Sequence, residues 1–425
     1  MTESLSPEPK TQRVPAAQPL PLRDKTVLLV HPAWHSCGSH KVFVSQAEAY
    51  RALGARVVSL AIADAPGATQ GSRSHKIYSD ATKDLETDAR FFTGMPWEAV
   101  FQPSFLRAVG HWLHGNFAQM LVETTKRVTI PEPLCAVFPK IDIIHCNHFF
   151  CMPAAKRIAA AKLCPIVLDT HDLQARQYVL RNRAGWSVPP VATYEEMLGI
   201  ELDCLRRADV LIHLNDEEAT AFKDLLPDKR HVLLYPAVTP IEPGAGGADI
   251  IIVASANYAN FLSVVWFLTE VLPQIEGVPV KILGNVNREV KTRAPNLYRQ
   301  HAALFRGRVD RLDTAYGGAK AVLLPTTQGH GISIKTIEAM SSGAPLIATP
   351  HAFRGLIFDP AALGNVTLAS DAAAFAHAIR NAAGTSPEAV GSRASADTRK
   401  CYERYFAPEP YRQGLAALVA PMLAK

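Results

Sequence analysis

Gly329-His-Gly-Ile-Ser-Ile-Lys-Thr-Ile-Glu-Ala-Met-Ser-Ser-Gly-Ala-Pro-Leu-Ile-Ala-Thr349 lies between two aliphatic runs, Ala321-Val-Leu-Leu324 before it and Pro345-Leu-Ile-Ala348 at its end. Short apolar runs of this kind suit buried parallel strands. The stretch between them predicts a helix over 333–342, closed by Gly343 and Pro345. Strand, loop, helix and strand make a βαβ unit. The loop carries two glycines, which allow a tight turn and close approach to a ligand. The helix start turns its free N–H groups and positive dipole end toward that loop, where an anion such as a diphosphate would sit. Lys335 adds a full charge in the first turn. Glu338, three residues on, shares its face and can accept two hydroxyls of a ribose or hexose. The residues alone leave a second possibility open: a generic helix start with Lys335 and Glu338 as a surface pair.

The same alternation extends outward in both directions. Ahead of the unit, Ile250–Ala254 and Val280–Leu283 predict strands, with helices near 261–272 and 313–319. Upstream of the Pro- and Gly-rich segment 239–247, read as a linker, strands are predicted at Thr26–Val30, Arg56–Ile62, Ile141–Ile144, Ile166–Leu168 and Val210–His213. Helices are predicted from Phe43 to Leu53, Pro153 to Ala161 and Tyr194 to Arg207. This is an α/β chain with two doubly wound halves. The expected division is a disordered, proline-rich tail over 1–23, an N-terminal Rossmann-like domain over 24–240, a C-terminal one over 241–395, and a closing helix over 396–425.

Leu168-Asp-Thr-His-Asp172 ends a strand of the first half. Loops at the carboxyl ends of such strands line the ligand crevice. Asp172 and His171 are therefore candidates to take a proton from an attacking hydroxyl. The alternative is that Asp169 and Asp172 cap the following helix. The loop from His35 to His40 also opens a helix, so Gly38 and Ser39 could hold an acceptor anion or donor phosphate, or form a plain turn. His145-Cys-Asn-His-Phe-Phe-Cys151 has irregular spacing and no obvious fourth ligand, unlike structural zinc sites; it reads as a loop at the cleft border, and no metal is expected. A helical period runs through 104–127, with Phe105, Leu106, Val109, Trp112, Leu113, Phe117, Met120 and Leu121 on it. Such a helix packs on the sheet or touches a membrane surface or lipid-linked substrate.

The chain has 425 residues, 48% of them hydrophobic, with 44 Lys+Arg against 39 Asp+Glu, a net charge of +5. That mild balance without a dense basic run argues against a dedicated nucleic-acid binder. No apolar run approaches the roughly 20 residues of a membrane span. Seven scattered cysteines without a C-x-x-C pair suit reduced thiols. The expectation is a cytoplasmic protein, with peripheral contact at the inner face of a membrane as an extension of it.

The stretch Gly329–Thr349, continuing into Phe353-Arg-Gly-Leu356, resembles the sugar-nucleotide-binding segment of GT-B glycosyltransferases of the family-four type. Ser255-Ala-Asn-Tyr-Ala-Asn260 and Gly307-Arg-Val309 with Tyr316 resemble the family's opening loop and its base-holding segment. The resemblance implies two Rossmann-like domains across a cleft, with a last helix crossing back. It implies Lys335 on the diphosphate, Glu338 on the ribose, Arg308 and Val309 near the base, and His330, Gly331, Ser333 and Asn257 around the donor. One departure matters: the loop at 254–260 lacks the cations that many family members place there, so Lys335 and the helix end must neutralise more. A distant similarity to the xanthan glucuronosyltransferase, an inverting enzyme, places its base at Asp172 and its donor lysine at Lys335. The implied partners are a nucleotide sugar and a glycan or lipid-linked acceptor, without a cofactor. Retaining and inverting outcomes both stay open. So do two other functions: a sugar-nucleotide epimerase on the same fold, and a non-catalytic partner subunit.

Overall fold

The computed structural model describes residues 20–35, 37–309, 311–385 and 392–424. Most of the proline-rich tail, and Ser36 of the loop ahead of the first helix, therefore lie outside the described residues. Seven strands form the first sheet: β1 (Thr26–Pro32), β2 (Arg56–Ile62), β3 (Ala89–Thr93), β4 (Ile143–Asn147), β5 (Ile166–Asp169), β6 (Val210–His213) and β7 (Arg230–Leu233). Their order is β3-β2-β1-β4-β5-β6-β7, and every pairing is parallel. Six form the second: β8 (Asp249–Val253), β9 (Val280–Leu283), β10 (Phe305–Gly307), β11 (Ala319–Leu324), β12 (Leu346–Ala348) and β13 (Val366–Leu368), in the order β10-β9-β8-β11-β12-β13. The strands β1, β4, β5 and β6 have buried residues at nearly every position, because helices cover both faces.

The strand order reverses between β1 and β4 in one sheet and between β8 and β11 in the other. Crevices open beyond the carboxyl ends of strands at such points. Here the loops after β1, β4, β5, β8 and β11 all contribute to one cleft between the domains.

The chain crosses between the domains twice. The first crossing follows β7, where Tyr235 and Val238 already pack with the second domain's core. The return crossing follows the helix Asp397–Tyr405, whose Tyr402 sits with Phe406 in that same core. The final helix, Pro408–Leu423, lays Tyr411, Leu415, Leu418 and Val419 against the first domain beside Phe43 and Tyr50. The return thus falls at 406–408, later than the boundary at 396. The crossings are tied together: Val238 N–H donates to the Phe406 carbonyl at 2.9 Å, and the Tyr402 hydroxyl donates to the Val238 carbonyl at 2.6 Å.

The continuous helix expected over 104–127 is instead two helices, Pro103–Leu113 and Phe117–Thr125. Gly115 takes a positive φ of 71°, and the Asn116 side chain accepts from the Gln119 amide at 3.0 Å to start the second helix. The two halves have different fates. Phe117, Leu121 and Val122 are core residues, whereas Leu106 is 67% and Trp112 49% exposed. Trp97 and Phe101, on the preceding turn, are exposed as well. No described helix is long and apolar enough to cross a membrane.

Candidate active site

The cleft has a volume of 1180 Å³ and is lined from both domains. Its second-domain wall is built on the helix Ile334–Ser341. The Ser333 hydroxyl accepts from the Thr336 amide at 3.3 Å and so starts this helix. Gly329 and Gly331 bring the chain to it with φ of 118° and 70°, backbone conformations that residues other than glycine rarely adopt. Their loop is braced from behind: His351 Nε2 donates to the Gly329 carbonyl at 3.0 Å, and Arg354 donates to the His330 carbonyl at 3.1 Å.

Lys335 and Glu338 are not a surface pair. Lys335 Nζ donates to Asn260 Oδ1 at 2.7 Å, and Asn260 is itself oriented by donating to the Ser255 carbonyl at 2.8 Å. Burial pushes the Lys335 ammonium down to about 8, an effect only partly opposed by Glu338. The Glu338 carboxylate is buried, and it accepts from Lys41 of the first domain. Asn257 lines the cleft while its side chain caps the helix Tyr258–Trp266, accepting from the Asn260 amide at 2.8 Å. Arg308 and Val309 line the same space beyond β10.

The first-domain wall begins with the helix Gly38–Ala52. Gly38 and Ser39 form its first turn and line the cleft. A methyl group on Gly38 would come 3.5 Å from Ile334 Cγ1, so the first turns of the two helices meet across the opening. Both helix ends carry partial positive charge, which makes this spot attractive to an anion.

His171 and Asp172 follow β5, and they differ in chemistry. His171, with φ of 58°, has its Nε2 donating to Asn147 Oδ1 at 2.8 Å, and its ring stacks on His148 at 4.0 Å. Burial, with the neighbouring His148 and His145, holds its imidazole well below the ordinary range. Such a ring is a poor proton acceptor. Asp172 instead presents its carboxyl to the cleft, where burial raises it to about 6 against the opposing pull of Arg354. Its Oδ1 lies where a Cβ on Gly331 would stand, 1.6 Å from that point, so the acidic lip and the donor loop touch.

The capping alternative for these aspartates is overturned. The helix Gln174–Ala184 takes its cap from Glu201, whose two carboxylate oxygens accept from the Gln174 and Ala175 amides at 3.0 and 2.9 Å. Asp169 accepts from the His171 amide at 2.9 Å and from Gln46 at 3.0 Å, fixing the loop from beneath. Asp172 is thereby left to face the opening.

The structure brings together the residues expected for both halves of the site, and adds some that the sequence alone did not single out. Lys41 and Arg354 bring to the cleft the positive charge that the segment 254–260 lacks, and Asn260 within that segment holds Lys335. Arg354 stood within the quoted Phe353–Leu356 segment without a role. Lys41 follows Ser39 by two positions, but nothing local marks it as reaching the opposite domain. In the 145–151 segment, Cys146 and Cys151 are core residues, and the His145 ring hydrogen-bonds the Tyr50 hydroxyl at 2.9 Å. Among the described residues no group of three His, Cys, Asp or Glu side chains is placed to hold a metal ion.

Residues 247–384 match the family Glycosyl transferases group 1. No curated protein sequence matches the chain. Solved structures do match it along nearly its whole length. HepE from Anabaena, in complex with UDP and glucose, is 14% identical with a TM-score of 0.60, covering 93% of this chain and 100% of its own. Sucrose-phosphate synthase from Thermosynechococcus elongatus is 17% identical with a TM-score of 0.63, covering 94% and 99%. The α,α-trehalose 6-phosphate synthase from Burkholderia multivorans is 12% identical with a TM-score of 0.57, covering 94% and 97%. With two facing Rossmann-like domains the chain has the GT-B fold, and its residues 247–384 are similar to the glycosyl transferases group 1 family.

Proposed function

We propose that the chain moves a sugar from a nucleoside-diphosphate sugar to a hydroxyl of a glycan or lipid-linked acceptor, within the cleft between its domains. The observation that carries this is the contact of the Asp172 carboxylate with Gly331 of the donor loop, beside Lys335 and a helix start, in one shared opening. The acceptor oxygen bonds to the anomeric carbon as the bond from that carbon to the diphosphate oxygen breaks. Asp172 takes the hydroxyl proton. The diphosphate leaves onto the helix N-terminus and Lys335, whose charges stabilise it without reorganising. Direct attack of this kind inverts the anomeric centre. HepE, solved with UDP-glucose, gives a nucleotide sugar as a reasonable first donor to try. An epimerase would need no acceptor, and a partner subunit would need neither Lys335 nor Asp172 for product.

The test is thermal denaturation with UDP-, GDP-, ADP- and dTDP-sugars. A ligand at 100 times its dissociation constant stabilises by about 2.7 kcal/mol. One nucleotide series should do so, and Lys335→Ala should weaken its binding roughly 10- to 100-fold, the worth of a charged hydrogen bond. No response from any donor in the wild-type protein sinks the transferase and epimerase readings together.

The exposed Leu106 and Trp112, with Trp97 and Phe101 on the adjoining turn, favour a lipid surface as the source of the acceptor. In that case the protein cosediments with phosphatidylcholine–phosphatidylglycerol vesicles, and the Leu106→Ser/Trp112→Ser double variant stays in solution. Wild-type protein that remains in the supernatant removes the membrane part of the proposal.

A further inference from the structure

Lys41 belongs to the first domain, yet its ammonium donates to Glu338, 297 residues away and on the helix that faces it. The pair is unequal: the Lys41 side chain is 51% exposed and that of Glu338 6%. Glu338 is the carboxylate read above as the acceptor of ribose hydroxyls, so Lys41 already contacts the group that the ribose would use. The loop after β8, residues 254–257, brings no cation to the diphosphate position, and Lys335 is already held by Asn260. Lys41 lies close enough to Lys335 for their charges to repel. It is also rooted in the helix turn that meets Ile334 at the N-terminus of the donor helix.

We infer that Lys41 is the second donor-binding cation, supplied across the cleft by the acceptor domain. Its pair with Glu338 is the contact that ribose hydroxyls would displace. When the ribose hydroxyls donate to Glu338, the displaced ammonium turns to the nearest anion, the diphosphate at the junction of the two helix starts. This rests on the nucleoside-diphosphate reading of the cleft.

The test is calorimetric titration of the full chain with UDP and with uridine, and with the GDP–guanosine and ADP–adenosine pairs in the same way. Lys41→Met should weaken diphosphate binding roughly 10- to 100-fold while changing nucleoside affinity by less than about threefold. Lys41→Arg should restore most of the loss. The decisive arm is Lys41→Met in a Glu338→Gln background, which also removes any uncompensated buried carboxylate. There the substitution should still weaken the diphosphate by a similar factor. Equal changes for nucleoside and diphosphate, or no effect of Lys41→Met once Glu338 is neutral, would show that Lys41 only plugs the ribose position, and the inference fails. If the wild-type protein binds none of the diphosphates, the donor reading falls first and this one with it; circular dichroism melting of each variant separates loss of binding from loss of fold.

Discussion

Asp172→Asn should reduce transfer about 10²- to 10⁴-fold, the usual contribution of a positioned general base, while donor affinity stays within a few-fold. The amide keeps the size of the carboxyl and its contact with Gly331 but cannot take the hydroxyl proton. Single-turnover kinetics at saturating donor, paired with a donor titration, separates the two effects. The pH profile gives a second readout. The Asp172 carboxyl, raised to about 6 chiefly by burial, must be ionised to act, so kcat/KM rises as the pH passes upward through that value. Lys335, lowered to about 8, must stay charged, so kcat/KM falls again above that value. The wild-type profile is therefore a bell between about 6 and about 8. In Asp172→Asn the acid limb should vanish from the residual activity while the alkaline limb stays. An unchanged acid limb assigns the proton transfer to another group, and wild-type activity in the variant removes Asp172 from the chemistry.

Gly331→Ala should be nearly as damaging, for a steric reason. The residue has φ of 70°, in a region that costs an alanine roughly 1–2 kcal/mol. The added methyl would also lie 1.6 Å from Asp172 Oδ1 and 2.6 Å from its Cγ. The carboxylate must move, or the two walls must part. Either displacement is of ångström size, which at a reacting centre costs about 10²-fold. The expected outcome is a fall of that order in turnover with a folded protein, seen as a cooperative melt. Gly110 makes a useful comparison, since it lies in the helix Pro103–Leu113 with open space where its Cβ would be. Gly110→Ala should leave turnover unchanged. Full activity in Gly331→Ala would mean that the working enzyme does not use this juxtaposition.

These two sites also mark how far the amino-acid sequence could be read. β8, β9 and β11 were legible because each is a short aliphatic run with both faces covered. β3 and β7 lie at the two edges of the first sheet, β10 and β13 at those of the second. Edge strands can be short and carry polar side chains, as in Arg230-His-Val-Leu233 and Val366-Thr-Leu368, so they lack the hydrophobic signal that marked the central ones. The donor loop was legible for a different reason: its glycines, Lys335 and Glu338 act within ten residues of one another, and local pattern suffices. What local pattern cannot hold is pairing between distant segments. Lys41 with Glu338, Glu201 over the amides of Gln174 and Ala175, and Asp172 against Gly331 depend on how two sheets face each other. The Gly115–Asn116 break in the helix at 104–127 was present as a turn signal, but the apolar period on either side of it obscured the interruption.

The hydrogen-bonded double passage of the chain at Val238 and Phe406 constrains how the two lobes can move against each other. Two backbones laced side by side act as an axle: they resist sliding and separation yet tolerate a swing. A swing about that passage would shift the walls of the cleft least beside it and more with distance from it.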